Sequence, residues 1–158
     1  MNAKIFTASV GLCMFLFGFN HSDTERITTA SMEGNQPLRT IVINSNDQMR
    51  FDTSQIKVKA GEKIKLTLNH TGILPENVMG HNFVLLTQGT DIAKFSQAAM
   101  KAKGNGYIPS FGVIAHTPLI GGGESTTIEF TAPKKGSYDF ICSFPGHYVM
   151  MKGKFIVE

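Results

Sequence analysis

Tryptophan is missing from this 158-residue chain, and cysteine occurs only twice, at Cys13 and Cys142. Two cysteines cannot build the disulfide scaffold of a small secreted domain. Charged residues are sparse, at 17%, and the net charge of +3 is scattered along the chain. No Lys/Arg run of the kind that tracks a phosphate backbone is present, which argues against nucleic acid as a partner. The longest apolar run, Ile5 to Phe19, falls short of the roughly twenty residues a membrane-spanning helix needs. What the chain does have is 42% hydrophobic residues, sixteen glycines and twelve phenylalanines. That is the composition of a packed fold rich in strands and turns, and neither disordered nor collagen-like.

The amino terminus separates from the rest. Lys4 followed by the apolar run matches a secretory signal over residues 1–20, or an anchor if it is retained. Phe17-Gly18-Phe19-Asn20 offers no small-x-small cleavage site. Cys13 raises the alternative of lipidation, but Leu12 stands where a small residue is usual, so a plain apolar residue is the favoured reading. Residues 21–38 are polar and aperiodic, as expected of a flexible tether. The domain of residues 39–158 is therefore expected in the periplasm or another extracytoplasmic space, touching a membrane only through a retained or lipidated leader. In that oxidising setting Cys142 would have no disulfide partner within its domain.

From Arg39 onward strand patterns recur. Thr40–Ile43 is β-branched, Ile56–Lys59 alternates, and Lys63–Leu68 alternates with apolar residues on one face. Asn82–Leu86, Thr126–Phe130, Tyr138–Cys142 and Lys154–Val157 complete the set. About seven short strands divided by Gly, Pro and Asn predict an all-β sandwich or small barrel. One helix interrupts it: Thr90 or Asp91 as cap, Ile92, Phe95 and Ala99 on one face, Lys94 and Lys101 toward water, and Gly104-Asn105-Gly106 as the stop.

The chemistry concentrates near the carboxy terminus, in Cys142-Ser143-Phe144-Pro145-Gly146-His147-Tyr148-Val149-Met150-Met151. A strand ending at Cys142 and a turn at Pro145-Gly146 can aim a thiolate, an imidazole and a thioether at one point. Gly80-His81, at the head of another strand, supplies a second imidazole. His₂Cys with a long axial Met is the established donor set of blue-copper electron-transfer sites. Thiolate and thioether suit Cu(I), imidazole suits both oxidation states, and a bound metal would keep Cys142 as thiolate.

At these residues the chain resembles the azurins, a branch of the cupredoxin family. Leu74-Pro75-Glu76-Asn77-Val78-Met79-Gly80-His81-Asn82 and Cys142 to His147 with Met151 carry the likeness. Asn46-Asp47-Gln48-Met49 and Val113-Ile114-Ala115-His116-Thr117 extend it across most of residues 40–158. The resemblance implies a Greek-key cupredoxin β-sandwich binding one copper ion. It implies His81, Cys142 and His147 as equatorial ligands, Met151 as distant axial ligand and the Gly80 carbonyl as a weak axial contact. Asn82 would steady the ligand loop around the Cys142 sulfur. The chain departs from the pattern in two ways: no cysteine lies between Cys13 and Cys142 for the usual amino-terminal disulfide, and Phe83 follows His81-Asn82 where the core tryptophan is absent.

Rival readings use the same residues. His₂Cys also suits Zn²⁺, but zinc would gain little from the thioether of Met151. A Cys–His nucleophile would need an orienting Asn or Asp and an oxyanion hole, and nothing in the sequence assembles these beside Cys142, so an electron carrier is expected and not an enzyme. A module that buffers or delivers copper is the alternative function. Met150 is the competing axial candidate. His70 and His116 are expected to be hydrogen-bonded structural histidines; the resemblance adds that His70 titrates near neutral pH and tunes the potential, while His116 lies at the surface. Met49, Leu74, Val78, Met79, Phe144, Pro145 and Gly146 would form, by the same resemblance, an apolar docking patch around the edge of His147. The partners it implies are redox proteins, c-type cytochromes or copper reductases.

Overall fold

In the computed structural model, residues 37–158 are described. The leader, Cys13 and all but the end of the tether lie outside them. Among the described residues nine strands form two sheets: β1 (Arg39–Asn46), β2 (Arg50–Phe51), β3 (Gln55–Val58), β4 (Lys63–His70), β5 (Val84–Leu86), β6 (Val113–His116), β7 (Ser125–Thr131), β8 (Gly136–Ile141) and β9 (Lys152–Val157). One sheet runs β2-β1-β4-β7 and the other β3-β9-β8-β5-β6. The chain crosses between the sheets repeatedly, and each sheet contains one parallel pairing, β1 with β4 and β3 with β9.

Period-two burial explains why these segments pair as they do. In β4, Ile64, Leu66, Leu68 and His70 point inward while Lys63, Lys65, Thr67 and Asn69 point outward. The inward rows of β3, β8 and β9 supply Ile56, Val58, Tyr138, Phe140, Phe155 and Val157 to the same core. Phe83 is fully buried there, 5.3 Å from Phe140. Burying one such ring contributes about 3 kcal/mol at the upper end of the usual range.

The helix falls where the sequence predicts it. α2 spans Ile92–Lys101, following a single turn, α1, at Glu76–Met79. Asp91 is the cap: its carboxylate accepts from the Ala93 and Lys94 amides, whereas Thr90 pairs with Thr87. Phe95 and Ala99 are buried, and Lys94 and Lys101 face solvent.

Three elements escape the sequence pattern. β6 is an edge strand with half-buried residues in place of clean alternation. β2 exists through its pairing to Ser45 and Asn46. α1 has no buried residue and no side-chain cap. The strand expected from Asn82 starts only at Val84, because Asn82 is bent away to serve the ligand loop, and the one expected to Cys142 ends at Ile141.

Candidate metal centre

The alternation of β8 turns Phe140 inward and, one step past Ile141, delivers Cys142 to the end of the sandwich, where it is fully buried. The chain then leaves the sheet, turns at Gly146 in the left-handed region (φ 82°), and makes a 3₁₀ turn at His147–Val149 before β9. Two backbone bonds close this loop: Met151 N–H donates to His147 O at 2.7 Å, and Cys142 N–H donates to Met151 O at 3.0 Å. His81 arrives from the other side, held by a two-way bridge to Ile120 with bonds of 3.0 and 2.9 Å.

These connections bring one ligand atom each of His81, Cys142 and His147 within 4.8 Å of one another, all three residues being buried. Cys142 Sγ lies 3.7 Å from His147 Nδ1 and 3.8 Å from the Gly80 carbonyl oxygen. Gly80 has to be bare: a Cβ there would press on Glu76 O and the Leu119 side chain, so the absence of a side chain lets its carbonyl approach the sulfur. Met151 is wholly buried, whereas Met150 is 49% exposed. The two neighbours thus face opposite ways, and only Met151 lies inside.

Asn82 ties the two sides together. Its Oδ1 accepts from Ser143 N at 2.8 Å and from Ser143 Oγ at 3.2 Å, and its Nδ2 reaches Ser143 Oγ and the Gly106 carbonyl. The backbone N–H groups of Asn82 and Phe144 also point at the Cys142 sulfur.

The electrostatics favour the neutral forms of all three donors. Burial pushes the Cys142 thiol up to about 12, opposed by the amides of Asn82 and Phe144. Burial lowers His81 to about 3, with the neighbouring His70 and His147 rings adding to the shift and Asp47 opposing it. Burial likewise lowers His147 to about 4, helped by His70. Both ring nitrogens of His81 are buried without a hydrogen-bond partner among the described residues. Such orphaned imidazole nitrogens cost free energy unless a ligand takes them. With a thiol and a second imidazole beside them, the residues present fit one copper ion.

His70 departs from expectation. It is buried at the inner end of β4, yet neither ring nitrogen has a hydrogen-bond partner. Asp47 Oδ1 is 3.3 Å from its Nε2, without hydrogen-bond geometry, and its ring lies 4.3 Å from that of His81. His116 is exposed, its Nδ1 3.1 Å from the Thr117 carbonyl, at the surface as expected.

Phe144 lies against His147 with ring centroids 4.6 Å apart and the planes tilted by 46°, and Tyr107 meets Phe144 edge-on at 5.2 Å. Val78, Pro145 and Gly146 are exposed, and Met49, Leu74, Met79 and Phe144 half-buried. Ile73, at 89% exposure, and the exposed Val149 were not singled out from sequence, and Met150, also exposed, was considered there only as an axial candidate. Their signal was present in the apolar residues immediately beside the ligand segments.

A two-sheet β-sandwich with a buried His₂Cys cluster at one end defines the cupredoxin class. The chain belongs to the plastocyanin/azurin family of copper-binding proteins, whose family model matches residues 39–158. It is 43% identical to an azurin of Pseudomonas fluorescens biotype C over 119 residues, covering 72% of this chain and 93% of that protein. It is 42% identical to the azurin of Bordetella pertussis, covering 70% and 78%. Among solved structures it resembles auracyanin A, a "blue" copper protein of Chloroflexus aurantiacus, with a TM-score of 0.71 and 31% identity over 77% of this chain and all of that one. An azurin of Methylomonas sp. strain J matches with a TM-score of 0.68, at 32% identity over 75% of this chain and 97% of its own.

Proposed function

We propose that the protein carries single electrons between larger redox proteins through one copper ion held by His81, Cys142 and His147, with Met151 and the Gly80 carbonyl as weak axial contacts. The observation that carries this reading is the convergence of a buried thiol and two buried imidazoles within 4.8 Å, with both His81 nitrogens orphaned. Bound copper supplies one-electron cycling between Cu(I) and Cu(II). The chain's own part is to keep the donors in place. The Cys142–Met151 loop is closed by backbone bonds, and Asn82 fastens it to the strand side of His81. The burial of the three donors supports a carrier over an enzyme.

A copper-buffering or delivery module would instead need exposed, exchangeable ligands. His147 is 4% exposed and the other two ligands are fully buried, which favours electron traffic. His147 is the least buried of the three and lies against Phe144; an apolar docking patch that includes Leu74, Val78 and Met79 is part of this proposal. A small apolar contact there suits partners that dock briefly and leave quickly, and c-type cytochromes or copper reductases are the partner class. With the apolar leader, the function fits an extracytoplasmic compartment. Titrating the metal-free protein with Cu(II) tests the proposal. A strong visible sulfur-to-copper absorption and reversible one-electron voltammetry are expected, and a colourless, redox-silent product would refute it.

A further inference from the structure

Asp47 belongs to the turn between β1 and β2, remote in sequence from every residue assigned to the metal. Its carboxylate nevertheless reaches two parts of the site at once. Oδ2 accepts the Ile73 N–H at 2.8 Å and Oδ1 accepts the Leu74 N–H at 3.3 Å. Oδ1 also stands 3.3 Å from Nε2 of His70, whose ring lies against that of His81. A carboxylate taking two main-chain amides makes a charge-assisted clasp, and the amide of Ile73 is the foremost cause of the lowered pKa of Asp47. The loop leaves room for nothing else: a Cβ on Gly72 would collide with the Asp47 carboxylate.

We infer that Asp47 is a positioning residue for the electron-transfer edge, a strut that fixes the 71–75 loop carrying Leu74 and backs the His70 ring against His81. Two consequences follow from one side chain. Mechanically, Leu74 enters the docking face from a loop whose successive amides are pinned to Asp47. The chain continues from there through α1 to Gly80 and His81, so the same clasp borders the stretch that supplies a ligand. Electrostatically, the carboxylate's charge is felt at His81, where it opposes the effect of burial. A negative charge on that side stabilises the more positive, oxidised state of the site, so its loss raises the midpoint potential.

This inference rests on the copper electron-transfer reading, but its test separates the two. Full-length wild type, Asp47→Ala, Asp47→Asn and Gly72→Ala are compared by amide hydrogen exchange in the metal-free and Cu(I) forms and by voltammetry of the copper-loaded form. Asp47→Ala is expected to lose exchange protection at Ile73 and Leu74 in both forms, to raise the midpoint potential and to slow electron self-exchange. Asp47→Asn keeps one acceptor oxygen but no charge, so it retains part of the protection while the potential still rises. Gly72→Ala keeps the charge and displaces it, so protection falls with a smaller rise in potential. Wild-type protection of both amides in Asp47→Ala, or, should that variant fail to fold, in Gly72→Ala, overturns the strut. An unchanged potential in Asp47→Asn overturns the electrostatic role. Failure of wild type to take up copper would sink the function instead, leaving the amide test of the strut intact.

Discussion

Cys142 enters the metal-free protein as a buried thiol, pushed up to about 12, while His81 and His147 are held neutral by the same burial. A metal takes the sulfur as thiolate. At pH 7 the two imidazoles have no proton to give, so uptake of one Cu(II) should release close to one proton, all of it from Cys142. Calorimetry in buffers of different ionisation enthalpy reads that number; a value near zero or near two would contradict the assignment. The two methionines offer a second check at this scale. Met151 is wholly buried and Met150 half exposed. Met151→Ala should destabilise the fold by about 2–5 kcal/mol in urea unfolding, and Met150→Ala by no more than about 0.5 kcal/mol. The family spacing favoured Met151 over its rival Met150, and burial now separates two neighbours that carry the same chemistry.

The elements matter chiefly for how they end. β8 stops at Ile141 and β5 starts at Val84, and the residues released, Cys142 and Asn82, meet outside the sheet. Asn82 holds Ser143 by both its backbone and its hydroxyl. Asn82→Ala would leave the buried Ser143 N–H unpaired, at a cost of about 1–3 kcal/mol, and should speed copper loss to a chelator. An unaltered loss rate would mean that the backbone bonds between Cys142 and Met151 hold the loop unaided. The alternation of β4 was legible from Lys63 to Leu68. Its last inward residue, His70, was expected to be a hydrogen-bonded structural histidine, and its unpaired ring was not foreseen, since its neighbours His81 and Asp47 come from other parts of the chain.

For the molecule as a whole, pH and docking are the properties to measure. The folded-state pKa values of His81 and His147 are depressed, to about 3 and about 4, below the ordinary 6.5. The unfolded chain therefore takes up protons first, so stability is fully present above pH 6.5 and falls as pH drops toward those folded values. Urea unfolding of the metal-free protein between pH 8 and pH 4 should follow that slope, and copper should steepen it, because the bound rings and thiolate stay unprotonated while the unfolded chain takes up protons. A flat profile without metal would count against buried neutral histidines. At the mouth of the site, Met79→Lys should slow electron exchange with partners and leave the visible copper spectrum as it is, because it alters the contact face and not the donors. Stopped-flow kinetics would detect it; an unchanged rate would remove Met79 from the docking face.

The order of residues alone settled what kind of atoms the chain could bring together: Cys142, His147 and Met151 are close enough in sequence to share one loop, and strand alternation is a local property of a pleated backbone. It likewise placed the helix, through a cap at Thr90 or Asp91 and the spacing of Phe95 and Ala99, though the structure chose Asp91. The edge strand β6, the two-residue β2 and the turn α1 were decided in three dimensions, because none has a periodic apolar face and each depends on a neighbour for its hydrogen bonds. The same holds for which methionine faces inward and for the clasp of Asp47 on the loop before His81. Such contacts span tens of residues, and what fixes them is the packing of two sheets against each other, which no local pattern encodes.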